Sequence, residues 1–302
     1  MKRSVTTEIN RERCTGCGLC VAVCPSETLS LIKEKATVTG DHSLQCGHCA
    51  AICPEDAITV GGVNRNALQL ATVNYHDEWL GYGDFDMPSL VRLMRSRRSC
   101  RMFSAQSVER DVLEDLVKIG TTAPSGTNSQ RWTFTIMPER ATVITFGAAV
   151  GRFFRYLNTM AEMSVLRGLS KLIMKDALGV YYRDHYEAVK KALEEWKKTG
   201  RDRLFHGAPA VILVGMKPGA SCPCEDALMA SQNILLAAHA MGLATCMVGF
   251  VVTAMKYDPR IKKLLDIPRE ERVYAAIAVG HPEHSFVKMA GRKKVVCRYY
   301  EG

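Results

Sequence analysis

The sequence predicts an α+β protein in two parts, a small cysteine-rich module followed by a larger domain of mixed helices and strands. Three observations support this prediction. Seven of the twelve cysteines lie between Cys14 and Cys53. The first 62 residues carry six Lys and Arg against seven Asp and Glu, a net charge of −1, whereas the remainder carries 34 against 24, a net +10. Beyond residue 88, apolar runs of strand length alternate with long helical patterns, which favours a layered α+β domain over a helix bundle.

The length and composition exclude several classes of protein. At about 150 residues per domain, 302 residues suggest two domains, and the net charge of +9 suits nucleic acid, an anionic membrane surface or a phosphate-bearing ligand. An apolar content of 47% with 24% charged residues is typical of a globular protein rather than a disordered, collagen-like or coiled-coil chain. Turn signals between residues 63 and 87 predict a linker, so we expect domains at residues 1–62 and 88–302.

The chain begins without the apolar segment of a secretory signal, which predicts a cytoplasmic protein in a reducing compartment. Residues from Ala227 to Met255 carry no Asp, Glu, Lys or Arg, and this stretch is longer than the roughly 20 residues that cross a bilayer. Polar residues and the helix-breaking Gly242 and Gly249 interrupt it. We therefore expect buried core there and no membrane partner.

Two copies of a cysteine motif lie in the first part. A C-x2-C-x2-C-x3-C-P run is followed by a shorter C-x2-C-x3-C-P run, and each continues into a short apolar strand. In iron–sulfur proteins the longer spacing places three thiolates around one cluster and directs the fourth to a second cluster. Zinc sites usually use two CxxC pairs, so a zinc knot or merely buried cysteines fit the pattern less well. The predicted ligands are Cys14, Cys17, Cys20, Cys24, Cys46, Cys49 and Cys53.

In two-cluster proteins the last cysteine of each run crosses to the other cluster, and this crossing rule divides the seven predicted ligands unequally. One cluster takes the first three cysteines and Cys53, whereas the other takes Cys46, Cys49 and Cys24 and is one thiolate short. Ser43 stands where the fourth cysteine would be. An oxygen or nitrogen ligand, a three-iron cluster and recruitment of a distant thiol such as Cys100 are all compatible with the sequence. We predict one [4Fe–4S] cluster and a second cluster of [4Fe–4S] or [3Fe–4S] type with an incomplete cysteine set.

With this repeat, residues 1–62 resemble a two-cluster bacterial ferredoxin. The resemblance implies a ferredoxin-like fold and low-potential, one-electron transfer.

In the second part, strand and helix patterns alternate. Helical patterns cover Phe153 to Lys198 and Glu225 to Met241. Strands are predicted at Trp132–Met137, Thr142–Phe146, Ala210–Val214 and Val273–Val279.

Three polar segments of this part suit a phosphate-bearing ring ligand. The RRSCR segment around Arg98 offers guanidinium groups, which bind phosphate through paired donors and permanent charge. The small-residue loop from Ala123 to Trp132 and the segment from Gly242 to Gly249 offer backbone groups and amides. Each segment alone is equally typical of a solvated turn.

Together and in this order, these segments resemble the FMN-dependent nitroreductase family over residues 88–302. The resemblance implies an α+β sandwich and a homodimer that binds FMN at the subunit interface with contacts from both chains. It implies that the phosphate and ribityl chain are bound by Arg97, Arg98, Ser99, Arg101 and Arg292. It implies that the flavin ring is lined by Pro124, Ser125, Gly126, Asn128, Met247, Val248 and Gly249.

The preferred functional hypothesis is an iron–sulfur flavoprotein oxidoreductase. Electrons from a low-potential donor, ferredoxin-like or other, pass through the clusters to FMN and on to a small organic acceptor such as a nitroaromatic compound or a quinone. No side chain is assigned as a catalytic acid or base, because the cofactor carries the chemistry. The alternative is a non-catalytic electron-transfer or redox-sensing flavoprotein that acts on a partner protein.

Other partners and roles are less well supported by the sequence. No helix-turn-helix or aromatic stacking motif accompanies the basic charge, so no nucleic-acid partner is expected. No G-x-G-x-x-G fingerprint follows a strand, and the fused module suggests that NAD(P)H, the usual donor of the resembled family, is bypassed. No functional role is predicted for Cys222 or Cys224.

Overall fold

The computed structural model describes residues 3–302, apart from the side chain of Arg65. The first two residues of the predicted N-terminal domain lie outside the described residues. No helix within residues 3–302 is long and apolar enough to cross a membrane.

The N-terminal module is built from two antiparallel two-stranded sheets and two one-turn helices. Each cysteine motif ends in a strand that pairs antiparallel with a strand from elsewhere in the module, β2 with β3 and β4 with β1. The two halves are therefore related by an internal pseudo-symmetry, as the repeat predicts. The elements are β1 (Thr7–Ile9), α1 (Leu19–Ala22), β2 (Leu29–Ile32), β3 (Lys35–Val38), α2 (His48–Ala51) and β4 (Ile58–Val60).

The pseudo-symmetry extends to the backbone conformation at the helix starts. Gly18 precedes α1 with φ 77°, and Gly47 precedes α2 with φ 76°. Glycine adopts this left-handed region without steric cost, so each motif can turn sharply around the space that its cysteines line. Cys20 and Cys49, one in each helix, are buried.

The predicted linker is attached to the second domain rather than free. After a 3-10 turn at Arg65–Leu68, the backbone N–H groups of Ala71 and Thr72 donate to the carboxylate of Asp115 at 2.9 and 2.7 Å. Asp115 has no exposed surface, and its nearest cation is Lys118, 3.6 Å away. A buried carboxylate in the second domain therefore fixes the path of the connecting segment.

The second domain is a three-layer sandwich around a four-stranded antiparallel sheet in the order β5-β6-β8-β7. The central strand β6 is buried along its whole length because helices cover both faces. Val211 and Leu213 pack on one layer, whereas Ile212 and Val214 pack on the other, as expected from the two-residue period of a strand. The strands are β5 (Trp132–Met137), β6 (Ala210–Met216), β7 (Ala244–Met247) and β8 (Arg272–Gly280). The predicted α+β sandwich is confirmed.

The helices divide between the two faces of the sheet. The helices before β5 and after β6 cover one face, and the long helix after β5 covers the other together with the helices that follow β7. The helices are α3 (Met87–Ser96), α4 (Arg110–Gly120), α5 (Arg140–Glu162), α6 (Ser164–Ile173), α7 (Ala177–Asp184), α8 (Tyr186–Thr199), α9 (Pro223–Ala240), α10 (Gly249–Tyr257) and α11 (Pro259–Leu264).

One strand prediction is wrong. Residues 142–146 lie in helix α5, where Val143, Phe146, Val150 and Phe154 are buried on one side. Their spacing of three and four residues is that of a helix, and this longer period outweighs the β-branched residues of the short run. The uncharged stretch from Ala227 to Met255 forms most of α9, β7 and much of α10, and 13 of its 29 residues are buried in the core, whereas Leu228, Met229, Met247 and Phe250 are exposed.

Candidate functional site

Two cavities in the N-terminal module gather the seven motif cysteines. Each contains about 330 Å³ free of protein atoms, part of it open to solvent. The first cavity is lined by Cys14, Cys17, Cys20 and Cys53. The second cavity is lined by Cys24, Cys46 and Cys49, together with Ser43. The tertiary fold thus groups the cysteines as the crossing rule of two-cluster proteins requires.

The two crossing cysteines have matching surroundings. The backbone N–H of Thr28 donates to Cys24 Sγ, and that of Ala57 donates to Cys53 Sγ, each at 3.3 Å. Burial raises the pKa of the Cys24 thiol, but hydrogen bonds from Thr28 and its neighbours outweigh burial, and the pKa is lowered. Because a thiolate is the ligand form of cysteine, these donors suit a metal-bound sulfur.

The surroundings of the other buried thiols shift their pKa values in opposite directions. A backbone hydrogen bond from Ala36 is the main cause that lowers the pKa of Cys14, although burial opposes it. Burial raises the pKa of Cys20 and Cys49, so each thiolate needs a cation or a metal centre as its partner. The donor set therefore fits iron–sulfur clusters in both cavities.

Ser43 occupies the place in the second cavity that a fourth cysteine would take. It lines the cavity beside the three cysteines, and its Oγ accepts a hydrogen bond from the Gln45 backbone N–H at 3.0 Å. The hydroxyl proton is not used in that bond, so the oxygen has a lone pair and a proton available. Ser43 is therefore positioned as an oxygen donor to the second cavity.

Two other candidates for the missing ligand lie elsewhere. The imidazole of His42 is half exposed and its Nδ1 lies 3.1 Å from Asp41 Oδ1. Cys100 belongs to the second domain, where its thiol donates to the Met102 carbonyl at 3.1 Å. Neither residue lines the second cavity.

The loop of residues 124–130, which precedes β5, is held by Asp226. This fully buried carboxylate in the first turn of α9 accepts from the Gly126 N–H at 2.8 Å and from the Ser129 hydroxyl at 3.1 Å. Its own carbonyl accepts from the Trp132 indole N–H at 3.0 Å. A Cβ on Gly126 would lie 3.0 Å from Cys222 Sγ, so close approach by Cys222 requires glycine there.

The same loop carries backbone strain. Thr127, Asn128 and Gln130 have φ of 53°, 51° and 45°, in the left-handed region that costs non-glycine residues energy. Such conformations persist where surrounding contacts over-determine them, and they cluster at binding sites. The Ser125 hydroxyl accepts from the Gln130 N–H at 3.1 Å, and Pro124 is exposed at the start of the loop.

The RRSCR segment lies beside β7 at the opposite edge of the sheet. Ser99 forms a parallel bridge with Thr245, and the Cys100 N–H donates to the Thr245 carbonyl at 2.8 Å. Arg97 and Arg98 are half-buried, and Arg101 is exposed. Within residues 3–302, the guanidinium groups of these three arginines have no hydrogen-bonding or ion-pair partner. An unpartnered group of three cations fits an anionic ligand.

Not all the predicted flavin contacts meet within one chain. The RRSCR segment lies next to the strand that leads to Met247, Val248 and Gly249, so these two groups share one sheet edge. The 124–130 loop lies at the other edge, three strand spacings of about 4.8 Å away. Arg292 lies in the exposed segment after β8, where it bonds the Gly291 carbonyl at 3.3 Å.

The loop of residues 124–130 also contacts the N-terminal module. Asn128 Nδ2 donates to the Gln45 carbonyl at 2.9 Å, and Arg3 Nη1 donates to the Asn128 carbonyl at 2.9 Å. A residue that the family resemblance assigns to the flavin ring thus uses its side chain at the domain junction.

A separate apolar groove lies between α5 and α8 and contains about 1310 Å³ free of protein atoms, part of it open to solvent. Phe250, which follows Gly249, lies at one end of it, and Trp196 lies on α8. None of the predicted flavin-contacting residues lines this groove.

Sequence reasoning missed three residues that organise the site, namely Arg3, Asp115 and Asp226. The role of Asp226 could have been predicted from its position, since an acid at the start of a long apolar helix is placed to accept hydrogen bonds from backbone N–H groups. Arg3 and Asp115 gave no signal, because each acts on a segment more than 40 residues away.

Comparison with known proteins identifies both parts of the chain. The sequence profile of the nitroreductase family matches residues 94–281, more than half of the chain. The chain belongs to the nitroreductase family. Residues 7–30 match the 4Fe-4S binding domain, so this family member carries an iron–sulfur binding module at its N-terminal end.

Relatives of this nitroreductase-family chain differ in their reactions. An iodotyrosine deiodinase from Thermotoga neapolitana is 26% identical over 220 residues, covering 70% of this chain and 98% of that protein. A 4-nitrobenzoate reductase from a Nocardioides species is 23% identical over 227 residues, covering 68% of this chain and 87% of the relative. The chain spans about three fifths of the length of the mouse iodotyrosine deiodinase 1, at 24% identity over 63% of this chain.

Solved structures share the fold of the nitroreductase domain. A nitroreductase with bound FMN from Bacteroides fragilis has a TM-score of 0.53 at 21% identity, covering 70% of this chain and 98% of that one. A second nitroreductase with bound FMN, from Desulfitobacterium hafniense, has a TM-score of 0.52 at 20% identity, covering 71% and 100%.

Proposed function

We propose that this protein is an iron–sulfur flavoprotein oxidoreductase that receives single electrons from a low-potential donor and reduces a small organic acceptor. The observation that carries the proposal is the pair of cysteine-lined cavities in a module that shares its chain with a nitroreductase domain. Iron–sulfur clusters carry one electron at a time, and FMN converts single-electron transfers into the two-electron reduction of an organic molecule.

The residues present fit FMN. The three unpartnered arginines beside β7 would neutralise the phosphate, which carries a charge of about −2. Ser99 would add a hydroxyl donor, and the backbone groups of Met247, Val248 and Gly249 would lie along the ring edge. The strained 124–130 loop, fixed by Asp226, would present Pro124 and Ser125 to the ring face. Their common role is to bind and orient the ring.

The second cavity fits a cluster with an incomplete cysteine set. Ser43, Cys24, Cys46 and Cys49 would hold it, with Ser43 supplying an oxygen in place of a fourth sulfur. The first cavity has a complete set of four cysteines and fits a [4Fe–4S] cluster.

The exposed apolar surface and the divided set of predicted flavin contacts support a homodimer. Val165, Leu172 and Ile173 on α6, and Tyr299 and Tyr300 near the C-terminal end, are each more than 70% exposed. Exposed apolar patches of this kind mark protein interfaces. Since the RRSCR segment and the 124–130 loop occupy opposite sheet edges, a second copy would complete each site with the part that one chain lacks.

The acceptor is a small molecule that takes two electrons. A nitroaromatic compound would take two electrons and two protons to give a nitroso compound and water, and a quinone would take the same number to give a hydroquinone. The deiodinase relative adds a third chemistry to test, in which an aryl iodide takes two electrons and one proton to give the arene and iodide. No side chain of the site is needed as the proton donor, because the loop residues Pro124 and Gln130 are open to solvent.

Turnover tests the proposal. The purified holoprotein, reduced anaerobically, is supplied with nitroaromatic compounds, quinones and iodophenols, and reoxidation of its flavin absorbance is recorded with product analysis. The proposal expects stoichiometric consumption of at least one acceptor class. Reduced protein that passes electrons to protein acceptors but consumes none of these compounds would support the non-catalytic alternative. Rapid flavin reduction by NADPH in protein stripped of clusters would show that the nicotinamide route is not bypassed.

A further inference from the structure

We propose that the cluster held by Cys24, Cys46 and Cys49 is the one next to the flavin, and that Arg3 and Asn128 are the positioning residues that hold it there. The inference rests on the proposed function and adds an order to the electron route. The cluster with the incomplete cysteine set is the last carrier before the flavin, and the cluster held by four cysteines is the entry point.

Arg3 joins the second cavity to the 124–130 loop. Its guanidinium donates to the Leu44 carbonyl at 3.1 Å, to the Asn128 carbonyl at 2.9 Å and to the Thr127 carbonyl at 2.5 Å. Its own carbonyl accepts from the Ser43 N–H at 3.3 Å. A single half-buried side chain thus binds the segment that supplies Ser43 and Cys46 and the loop that is predicted to line the flavin.

Asn128 makes the same connection from the other domain. Its Nδ2 donates to the Gln45 carbonyl at 2.9 Å and to the Leu44 carbonyl at 3.4 Å. Its Oδ1 accepts from Gln130 Nε2 at 2.9 Å, which fixes the amide with its donor toward the module. Gln45 is bonded directly to Cys46, so one hydrogen bond and one peptide unit separate the loop from a ligand of the second cavity.

The first cavity is not lined by Leu44, the residue of the second cavity that bonds to this junction. Cys17 is exposed, and within the described part of the chain residues 14–20 form no hydrogen bond to residues beyond 62. A protein donor can therefore approach the first cavity while the second cavity stays against the loop. The donor would be oxidised by one electron, which would pass to the first cluster, then to the second and then to the flavin. Two such transfers would supply the two electrons that the acceptor takes, and solvent would supply the protons.

The test measures electron transfer within the holoprotein, which carries its clusters and flavin. A light pulse generates a reduced viologen, a one-electron reductant, and the absorbance of clusters and flavin is followed separately. Arg3→Ala and Asn128→Ala are each expected to slow electron transfer from cluster to flavin by about tenfold, since each removes hydrogen bonds that hold the two domains together. Arg3→Lys keeps a charged donor and is expected to restore part of the rate.

The matched control is Arg110→Ala. Arg110 begins α4, forms an exposed ion pair with Glu139 at 3.0 Å and lines neither cysteine cavity. It is expected to leave the internal transfer rate within twofold of the parent. Iron and flavin contents are measured for every variant, so a loss of cofactor is not counted as slow transfer.

Iron-edge anomalous diffraction from crystals of the holoprotein tests the order directly. The expected result is that the iron sites bound by Cys24, Cys46 and Cys49 lie nearer the flavin ring than those bound by Cys14, Cys17, Cys20 and Cys53. The reverse order, or unchanged rates in both junction variants, overturns this inference and leaves the proposed function standing. Absence of bound flavin from protein supplied with FMN overturns the proposed function as well.

Discussion

The side-chain amide of Asn128 donates a hydrogen bond of 2.9 Å to the carbonyl oxygen of Gln45, across a sequence distance of 83 residues. This bond links a strained loop of the nitroreductase domain to the peptide that precedes Cys46. The two parts of the chain are therefore joined at the positions where their chemistry is predicted to meet. The linker adds a second attachment through Asp115.

Ser43→Cys tests the ligand set of the second cavity. A thiolate at this position completes four cysteines, so we expect the variant to hold a [4Fe–4S] cluster with an altered electron paramagnetic resonance spectrum. The parent protein is expected to contain about seven or eight irons per chain from its two clusters. Metal analysis of anaerobically purified protein checks this number, and about four irons would contradict the two-cluster prediction. Ser30→Cys, in the same module but lining neither cavity, is the matched control and should leave the spectrum unchanged.

Asp115→Asn tests the attachment of the linker. The carboxylate accepts from two N–H groups and from the Thr72 hydroxyl at 2.7 Å, and an amide accepts fewer of these bonds. We expect the free energy of unfolding to fall by about 1–3 kcal/mol in urea denaturation. Asp111→Asn, an exposed residue on the same helix, is the control and should change it by less than about 0.5 kcal/mol. Equal changes in the free energy of unfolding for the two variants would show that Asp115 does not stabilise the attachment of the linker.

The pH dependence of stability provides a separate test of Asp115. Burial raises the pKa of this carboxyl, but hydrogen bonds from Thr72 and Ala71, with the nearby Lys118, outweigh burial and lower it. A lowered folded-state pKa contributes stability that is fully present above the unfolded value of about 3.9 and is lost as the pH falls through the folded value. The stability difference between the parent and Asp115→Asn should therefore shrink below about pH 4, and a difference that stays constant down to pH 2 would contradict this assignment.

Asp226→Asn tests whether the 124–130 loop is held in place for the flavin. Losing a buried acceptor from the Gly126 N–H and the Ser129 hydroxyl should cost about 1–3 kcal/mol, and because the loop is proposed to bind the ring, FMN affinity should fall by roughly five- to 150-fold. Fluorescence titration with FMN measures this affinity. Glu225→Gln changes the exposed neighbouring acid in the same helical turn and should bind FMN normally. Unchanged FMN affinity in Asp226→Asn would place the loop outside the flavin site.

Arg98→Ala tests the phosphate assignment. Removing one charge-assisted contact should weaken FMN binding by roughly ten- to hundredfold. Riboflavin lacks the phosphate, so its affinity should be the same for the parent and the variant. Arg95→Ala, an exposed arginine in the last turn of α3, is the control and should affect neither ligand. Equal losses for FMN and riboflavin would assign Arg98 a structural role.

Much of the candidate site was predictable because its signals are local. The cysteine spacing is fixed within eleven residues of chain, and the structure groups the thiols as that spacing requires. The arginine segment and the 124–130 loop were also predicted from local residue types, and their flavin contacts stay a prediction. The strand prediction at residues 142–146 failed because a five-residue window is too short to separate a β-branched run from the buried side of a longer helix.

The sequence by itself determined the family of each part, the seven candidate cysteine ligands and the missing eighth cysteine at Ser43, because these depend on residue types at fixed spacing. Only the tertiary structure decided that Leu44 and Gln45, which lie between Ser43 and Cys46, bond to Asn128 of the 124–130 loop, and that Arg3, Asp115 and Asp226 hold the parts together. Contacts between single polar residues that are 40 to more than 120 positions apart leave no periodic pattern in a sequence. They arise because buried or half-buried polar groups must find partners once the chain has folded.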